Sequence, residues 1–244
     1  MTSEITPDMV RKATREIDTA IRTVRDSQPV EPWWESWKVE VPEYDADGVV
    51  VKRFEITPEQ AAFDQLRAAL NPQRPNRATQ PGTYTNLTVD GTLWMTDTPA
   101  EVVDLFGVDT AMRDSVGGSM LIVGLGLGLV LHRAITHRDI GWIDVVEREG
   151  RVIDAVADHY YSLAAEHEVG LRIHQADIHE WKPPPLAYWD LGWFDIWADI
   201  DMDDRAEVKK LRDRYRRRLG WFGAWAQWER NQQARRIRTK RGFY

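Results

Sequence analysis

Residues 120 to 128 read Met-Leu-Ile-Val-Gly-Leu-Gly-Leu-Gly, and nineteen residues past the last glycine comes Glu147. An apolar run thus ends in three alternating glycines, Gly124, Gly126 and Gly128. A helical pattern follows, then a second apolar run, Trp142 to Glu147, that closes on an acid. Glycine lets backbone approach a ligand closely, and the start of a helix offers free N–H groups. A carboxylate at the tip of the next strand can accept both hydroxyls of a ribose. Two more acids end later apolar runs: Asp177 follows Leu171 to His174, and Asp195 follows Leu191 to Phe194. The chemistry on offer is recognition of a nucleotide-type ligand, with Asp195 able to orient an amino group or take a proton. The plainer alternatives are a turn that lets a helix pack on a strand and acids that cap the next helix.

The spacing narrows the ligand. A dinucleotide fingerprint, G-x-G-x-x-G, would put its third glycine at 129, where Leu129 stands. No Lys-Ser or Lys-Thr follows the glycines, so the run is not a P-loop.

The elements that must position these residues alternate. Strands are expected at Leu121–Val123, Trp142–Val146, Leu171–His174 and Leu191–Trp197. Helices are expected at Leu127–His137, Glu149–Glu168 and Asp203–Arg218. Trp221–Trp228 reads equally as a fifth strand or a helix. This alternation implies an α/β, Rossmann-like, mostly parallel sheet with helices on both faces. Ligands of such sheets bind beyond the carboxyl ends of the strands. The glycines, Glu147, Asp177 and Asp195 all fall there.

Upstream, residues 6 to 26 carry one apolar helical stripe. Lys38–Val41 and Val49–Ile56 read as strands about the turn cluster Tyr44–Gly48. Tyr84–Val89 and Thr92–Met95 form a second hairpin about Asp90-Gly91. Capping boxes at Thr57/Gln60 and Thr98/Glu101 start two helices. The expected division is an N-terminal helical and β-hairpin extension over 1–115 and a Rossmann-like domain over 116–244.

Composition excludes several classes. With 244 residues and no cysteine, the chain has no disulfide, thiolate metal site or cysteine nucleophile. No run is long enough for a membrane span, and the polar N-terminus is not signal-like, which points to the cytoplasm. Net charge is −7, yet from Arg205 to Tyr244 there are fourteen Lys/Arg against three Asp/Glu. Such a basic end can contact nucleic acid, or neutralise the acidic body of its own or a neighbouring subunit. The second reading is favoured, because no groove-reading or base-stacking motif accompanies it. A homo-oligomer is compatible with it. The acids Asp199, Asp201, Asp203 and Asp204 read as helix-start acids rather than a metal site. His174 and His179 flank Asp177 and read as structural. The tryptophans 193, 197, 221, 225 and 228 serve as core filler or pocket wall.

The glycine run with its spaced acid resembles motifs I and II of class I S-adenosylmethionine-dependent methyltransferases. The segment Trp189-Asp-Leu-Gly-Trp-Phe-Asp195-Ile-Trp197 resembles motif IV of their spermidine synthase-like branch. Gly82 to Glu101 is similar to the β-hairpin and acidic turn that precede the Rossmann core in that branch. The resemblance covers roughly residues 82 to 200. It implies S-adenosylmethionine as cofactor, bound through Gly124, Gly126, Gly128, Glu147, Asp177, Ile178 and Asp195. Asp177 would meet the adenine amino group, the Ile178 N–H a ring nitrogen, and Asp195 the reactive end as the candidate catalytic group. Spermidine synthases carry an acid within the glycine loop and an Asp-Ser pair after the fourth strand. Here leucines separate the glycines and Ile196 follows Asp195, which turns the expectation away from aminopropyl transfer. The Asp/Asn-Pro-Pro-Tyr/Phe signature of amino-methylating DNA enzymes is absent as well. The sheet is expected to stop after a fourth or fifth strand. The expected function is therefore a methyltransferase of unknown acceptor. The alternatives are a non-catalytic S-adenosylmethionine-binding or interaction protein and, last, an aminopropyltransferase.

Overall fold

The structure, a computed structural model, describes residues 32–70, 79–115, 118–137, 139–197 and 204–225. The helix expected over 6–26, the acids at 199, 201 and 203, and the basic segment past 225 lie outside them. The chain divides into two units, Met1–Glu35 and Ser36–Tyr244. The second unit holds two β-sheets.

Two Asp-Gly pairs shape its first half. Asp47 and Gly48 have φ of 50° and 78°, and Asp90 and Gly91 have 50° and 76°. Two consecutive left-handed residues make the tight primed turn whose twist matches paired strands. The first turn joins β1 (Tyr44–Ala46) to β2 (Val49–Ile56), and the second joins β3 (Gly82–Val89) to β4 (Thr92–Thr96). One sequence expectation is corrected here. Lys38–Val41 is not a strand; the two-residue turn leaves Tyr44–Ala46 free to pair, with Tyr44 opposite Val51. The two hairpins also merge, because β2 pairs with β3 over its full length, giving one antiparallel sheet in the order β1-β2-β3-β4.

Helix α1 (Pro58–Leu70) starts with a true capping box: Thr57 N–H donates to Gln60 Oε1 at 2.9 Å, and Gln60 N–H to Thr57 Oγ1 at 3.3 Å. The second expected box is not formed. Helix α2 (Pro99–Val102) has no side-chain cap, and the Thr98 hydroxyl pairs with that of Thr96 at 2.8 Å instead. Helix α3 (Phe106–Asp114) then leads into the second sheet.

That sheet consists of β5 (Gly118–Val123), β6 (Ile140–Glu147), β7 (Gly170–Gln175), β8 (Trp189–Phe194) and β9 (Leu219–Ala224). All its pairings are parallel, in the order β7-β6-β5-β8-β9. The fold is α/β and Rossmann-like, with helices on both faces. Of the ambiguous segment Trp221–Trp228, β9 shows residues up to Ala224 as strand, and residues 226–228 lie outside the described residues. β5 is central, and Met120 to Val123 are all at most 1% exposed. A strand buried on both faces reads as an unbroken apolar run, which is why the sequence shows no alternation there. On one face Leu121, Val123, Val146 and Phe194 pack under Val208, Leu211 and Tyr215 of α6 (Asp204–Tyr215). On the other lie α3, α4 (Leu129–Thr136) and α5 (Gly150–Glu166). Among the described residues, no helix is long and apolar enough to cross a membrane.

Candidate ligand cleft at the carboxyl edge of the parallel sheet

Strand order reverses at β5, whose neighbours β6 and β8 are reached by crossovers in opposite directions. The crevice beyond such a reversal is where open α/β sheets bind ligands. A cleft of about 360 Å³ opens there, a volume within the range of small-molecule sites. Gly124, Gly126, Glu147, Asp177, Ile178 and Asp195 all line it. The structure therefore brings six of the seven sequence-selected residues together.

The seventh, Gly128, is placed elsewhere. It caps α4 at φ 79°, and a Cβ on it would meet the Tyr160 ring at 2.3 Å. Tyr160 is fully buried, and its hydroxyl donates to the Leu127 carbonyl at 2.5 Å. Gly128 thus seats the loop on α5. Gly124 has a similar duty: at φ 92°, an added Cβ would lie 1.9 Å from the Asp195 carbonyl oxygen. Only Gly126, at φ 51°, has the flexible end of a side chain as its neighbour, the sulfur of Met95.

The loop's amides are largely used by the chain itself. Gly124 N–H donates to the Val146 carbonyl at 2.9 Å, and Gly128 N–H to that of Leu125 at 2.8 Å. Leu125 N–H donates to Glu147 Oε2 at 2.7 Å, and Leu127 N–H lies 3.4 Å from the Met95 sulfur. A phosphate cradle needs such amides turned toward the ligand. This loop instead has a carboxylate beneath it, which disfavours an anion.

Glu147 is only 8% exposed and is held from both sides, since its Oε1 accepts from Glu149 N–H at 2.7 Å. Each carboxylate oxygen still has capacity for a further donor. Glu149 is fixed in turn by the Arg151 guanidinium, whose Nε lies 2.9 Å from Glu149 Oε1. The same fork reaches Asp90 at 3.0 and 3.2 Å and the Asp47 carbonyl at 2.9 Å. Hydrogen bonds from Arg151 hold the Asp90 and Glu149 carboxyls below their ordinary range. Both hairpin turns are thereby tied to the start of α5, next to Glu147.

At the β7 side, Asp177 Oδ1 accepts from His179 N–H at 2.8 Å, and its carbonyl accepts from Glu180 and Trp181. This is a side-chain turn. Ile178 is buried in the core beside Val146. Arg214 of α6 donates to the carbonyls of Ile178, His179 and Trp181 at 3.1, 2.5 and 2.7 Å. At β8, Asp195 N–H donates to the Val123 carbonyl at 2.7 Å. Glu207 closes that end, accepting from Trp197 Nε1 at 2.6 Å and pairing with His179 at 2.9 Å. His174 stands outside the lining and binds Asp144 at 2.8 Å; the same carboxylate accepts from the indoles of the exposed Trp142 and the buried Trp189. Burial raises the Asp144 carboxyl, but the donors around it outweigh this and hold it low.

Sequence reasoning missed Arg151, Arg214 and the hairpin wall Thr92–Met95. The two arginines act across long stretches of chain, and nothing local distinguishes them from other surface cations. The hairpin does carry a signal, the apolar pair Leu93-Trp94 beside a turn.

No family model matches the sequence, and no curated protein matches it. Among solved structures, it is similar to the crystal structure of coclaurine N-methyltransferase bound to N-methylheliamine and S-adenosylhomocysteine. That likeness has 15% identity and a TM-score of 0.37, and covers 50% of this chain and 33% of that one. The chain thus spans about a third of that protein's length.

Proposed function

We propose that the cleft binds S-adenosylmethionine and that the protein is a methyltransferase. One observation carries this reading: the acids and two of the three glycines chosen by spacing converge on one acid-lined cleft at the reversal point of a parallel sheet. Five carboxylates line it, Glu147, Glu149, Asp177, Asp195 and Glu207, against Arg148 and His179. A cationic sulfonium suits that field, and an anionic phosphate does not. The residues fit the cofactor's parts in order along the strand ends. Asp177 and Ile178 would take the base, Glu147 the ribose, and Gly124, Gly126 and Asp195 the methionine end. When bound, S-adenosylmethionine supplies an electrophilic methyl carbon, so the chain's own work is positioning and proton removal. Asp195 is the group to orient the amino end or accept the acceptor's proton. Within the methyltransferase superfamily, the hairpin just before the Rossmann core favours the spermidine synthase-like branch.

A thermal-shift panel tests the ligand class. At a hundredfold excess over Kd, a bound ligand adds about 2.7 kcal/mol, a shift of roughly 5–10 °C for a chain of this size. S-adenosylmethionine and S-adenosylhomocysteine should each produce it, and ATP and NAD should not. Stabilisation by ATP or NAD alone would overturn the reading. The half-exposed Leu93 and Trp94 also fit a protein that keeps the pocket for interaction without turnover. Methyl transfer from labelled S-adenosylmethionine to any of a panel of amine and hydroxyl acceptors would exclude that alternative.

A further inference from the structure

The buried Glu147 carboxylate accepts one amide on each oxygen: Leu125 N–H at Oε2 and Glu149 N–H at Oε1, both at 2.7 Å. The two donors are held in different ways. Leu125 belongs to the packed glycine loop. Glu149 is the N-cap of α5, with φ −83° and ψ 101°. Its N–H belongs to the peptide just before the helix, so no ladder bond orients it. What fixes residue 149 is its own side chain.

Arg151 grips that side chain, and all five N–H groups of its guanidinium are used. Nε and Nη2 donate to Glu149 Oε1 and Oε2 at 2.9 and 3.0 Å. Nη1 and Nη2 donate to the two Asp90 oxygens at 3.0 and 3.2 Å, and Nη1 also to the Asp47 carbonyl at 2.9 Å. The two hairpin turns are joined to each other, since Asp90 N–H donates to the Gly48 carbonyl at 2.8 Å. Gly48 makes room for the fork: a Cβ there would lie 2.4 Å from Asp90 Oδ1 and 3.3 Å from Arg151 Nη1. On the β7 side, a Cβ on Gly150 would meet the Gln175 side-chain nitrogen at 2.4 Å, so the corner has little room to shift that way. Without the guanidinium, the Glu149 and Asp90 carboxylates would face each other unpaired, and repulsion would turn Glu149 away and draw its N–H off Glu147. Arg151 is 34% and Asp90 68% exposed, so water screens these charges and the fork contributes direction more than stability.

We infer that Arg151 is a positioning residue of the cleft: by fixing Glu149 it aims the Glu147 carboxylate, and it makes that aim depend on the two hairpin turns. The aim of Glu147 is a property of the ligand-free chain. Its use in binding rests on the methyltransferase reading.

Amide hydrogen exchange in the ligand-free full chain tests it, on the parent, Arg151→Ala and Asp90→Ala. In Arg151→Ala the Leu125 and Glu149 amides should exchange about fivefold faster. The Ala176 amide binds the Glu147 main-chain carbonyl at 2.8 Å rather than its side chain, and its exchange should not change. The melting temperature should move by no more than about two degrees. Asp90→Ala should give the same pattern at smaller size. Unchanged Leu125 and Glu149 amides, or an Ala176 amide that speeds up equally, would overturn the positioning role. Calorimetry with S-adenosylhomocysteine then reads its use. Arg151→Ala should bind about fivefold more weakly. The double variant Arg151→Ala/Glu149→Ala should bind no more weakly than Glu149→Ala alone, because one residue acts through the other. Additive losses would overturn that route. Exchange that follows Arg151, without any binding of S-adenosylhomocysteine to the parent, would uphold the positioning role and sink the methyltransferase reading.

Discussion

The floor of the cleft and its wall are built in opposite ways. The glycine loop forming the floor is packed against its own chain. Gly124 meets Asp195, Gly128 meets Tyr160, and the Leu125 amide is bound by Glu147. The hairpin wall, Leu93 and Trp94, is half-exposed, bulged and on a sheet edge. The difference teaches that close packing and specificity are separate tasks here. On the proposed function, the floor would fix where the ligand lies, and the wall would border it. Substitutions in the floor should therefore cost folding, and substitutions in the wall should cost binding alone.

The largest effect expected is at Gly124. Alanine there combines φ 92° with a Cβ 1.9 Å from a backbone oxygen that cannot move cheaply. We expect a loss of roughly 3 kcal/mol or more, read as a collapse of the denaturation midpoint. A stable Gly124→Ala protein would break the contrast between floor and wall. Arg214→Ala comes next. It strips three carbonyls in the turn after Asp177 of their donor. About 1 kcal/mol of stability should go, with several-fold weaker binding of S-adenosylhomocysteine, measured by the same melt and by titration.

A pH effect sharpens the comparison from beneath the floor. His132 on α4 and His159 on α5 have buried nitrogens, Nδ1 and Nε2, with no hydrogen-bond partner among the described residues. Burial pushes both imidazoles below their ordinary value. Below about pH 6.5 the unfolded chain takes up protons that the folded chain refuses, so stability must fall as pH drops. The fall should level off once pH passes below the folded values. Replacing both with glutamine should flatten the melting temperature between pH 7 and pH 5, and an unchanged slope would clear these two residues of the effect. Smallest of all, Trp94→Ala should leave the melting temperature within about a degree, since surface changes away from caps and cores stay within about ±0.5 kcal/mol.

The floor was legible in the chain and the wall was not, for physical reasons. Left-handed backbone, a fully buried strand and a strand-end acid are local demands, so Gly124, Gly126, Glu147 and the Asp-Gly turns announce themselves. Gly128 shows the limit of that logic. Its positive φ was readable, but the neighbour requiring it is Tyr160, thirty-two residues away, and a protein ring and a ligand leave the same mark in the sequence. The bulge at Trp94 is a mismatch between two strands, and no single strand encodes it. Arg151 and Arg214 resemble any surface arginine until the fold brings carbonyls and carboxylates to them. The alternation of strands and helices was plain, whereas the pairing of β2 with β3 into one sheet required contacts between segments on either side of α1.

The central claim is that Glu147, at the tip of β6, reads a ribose within an adenosyl ligand. Titration calorimetry of S-adenosylhomocysteine into the full chain tests it directly, on the parent and on Glu147→Gln. The variant keeps the shape and one acceptor for the Leu125 and Glu149 amides, and removes the charge. We expect one-site binding to the parent and about tenfold weaker binding to the variant, which is a loss of roughly 1.4 kcal/mol. No heat with the parent at millimolar ligand, or equal affinity in a folded Glu147→Gln, would contradict it.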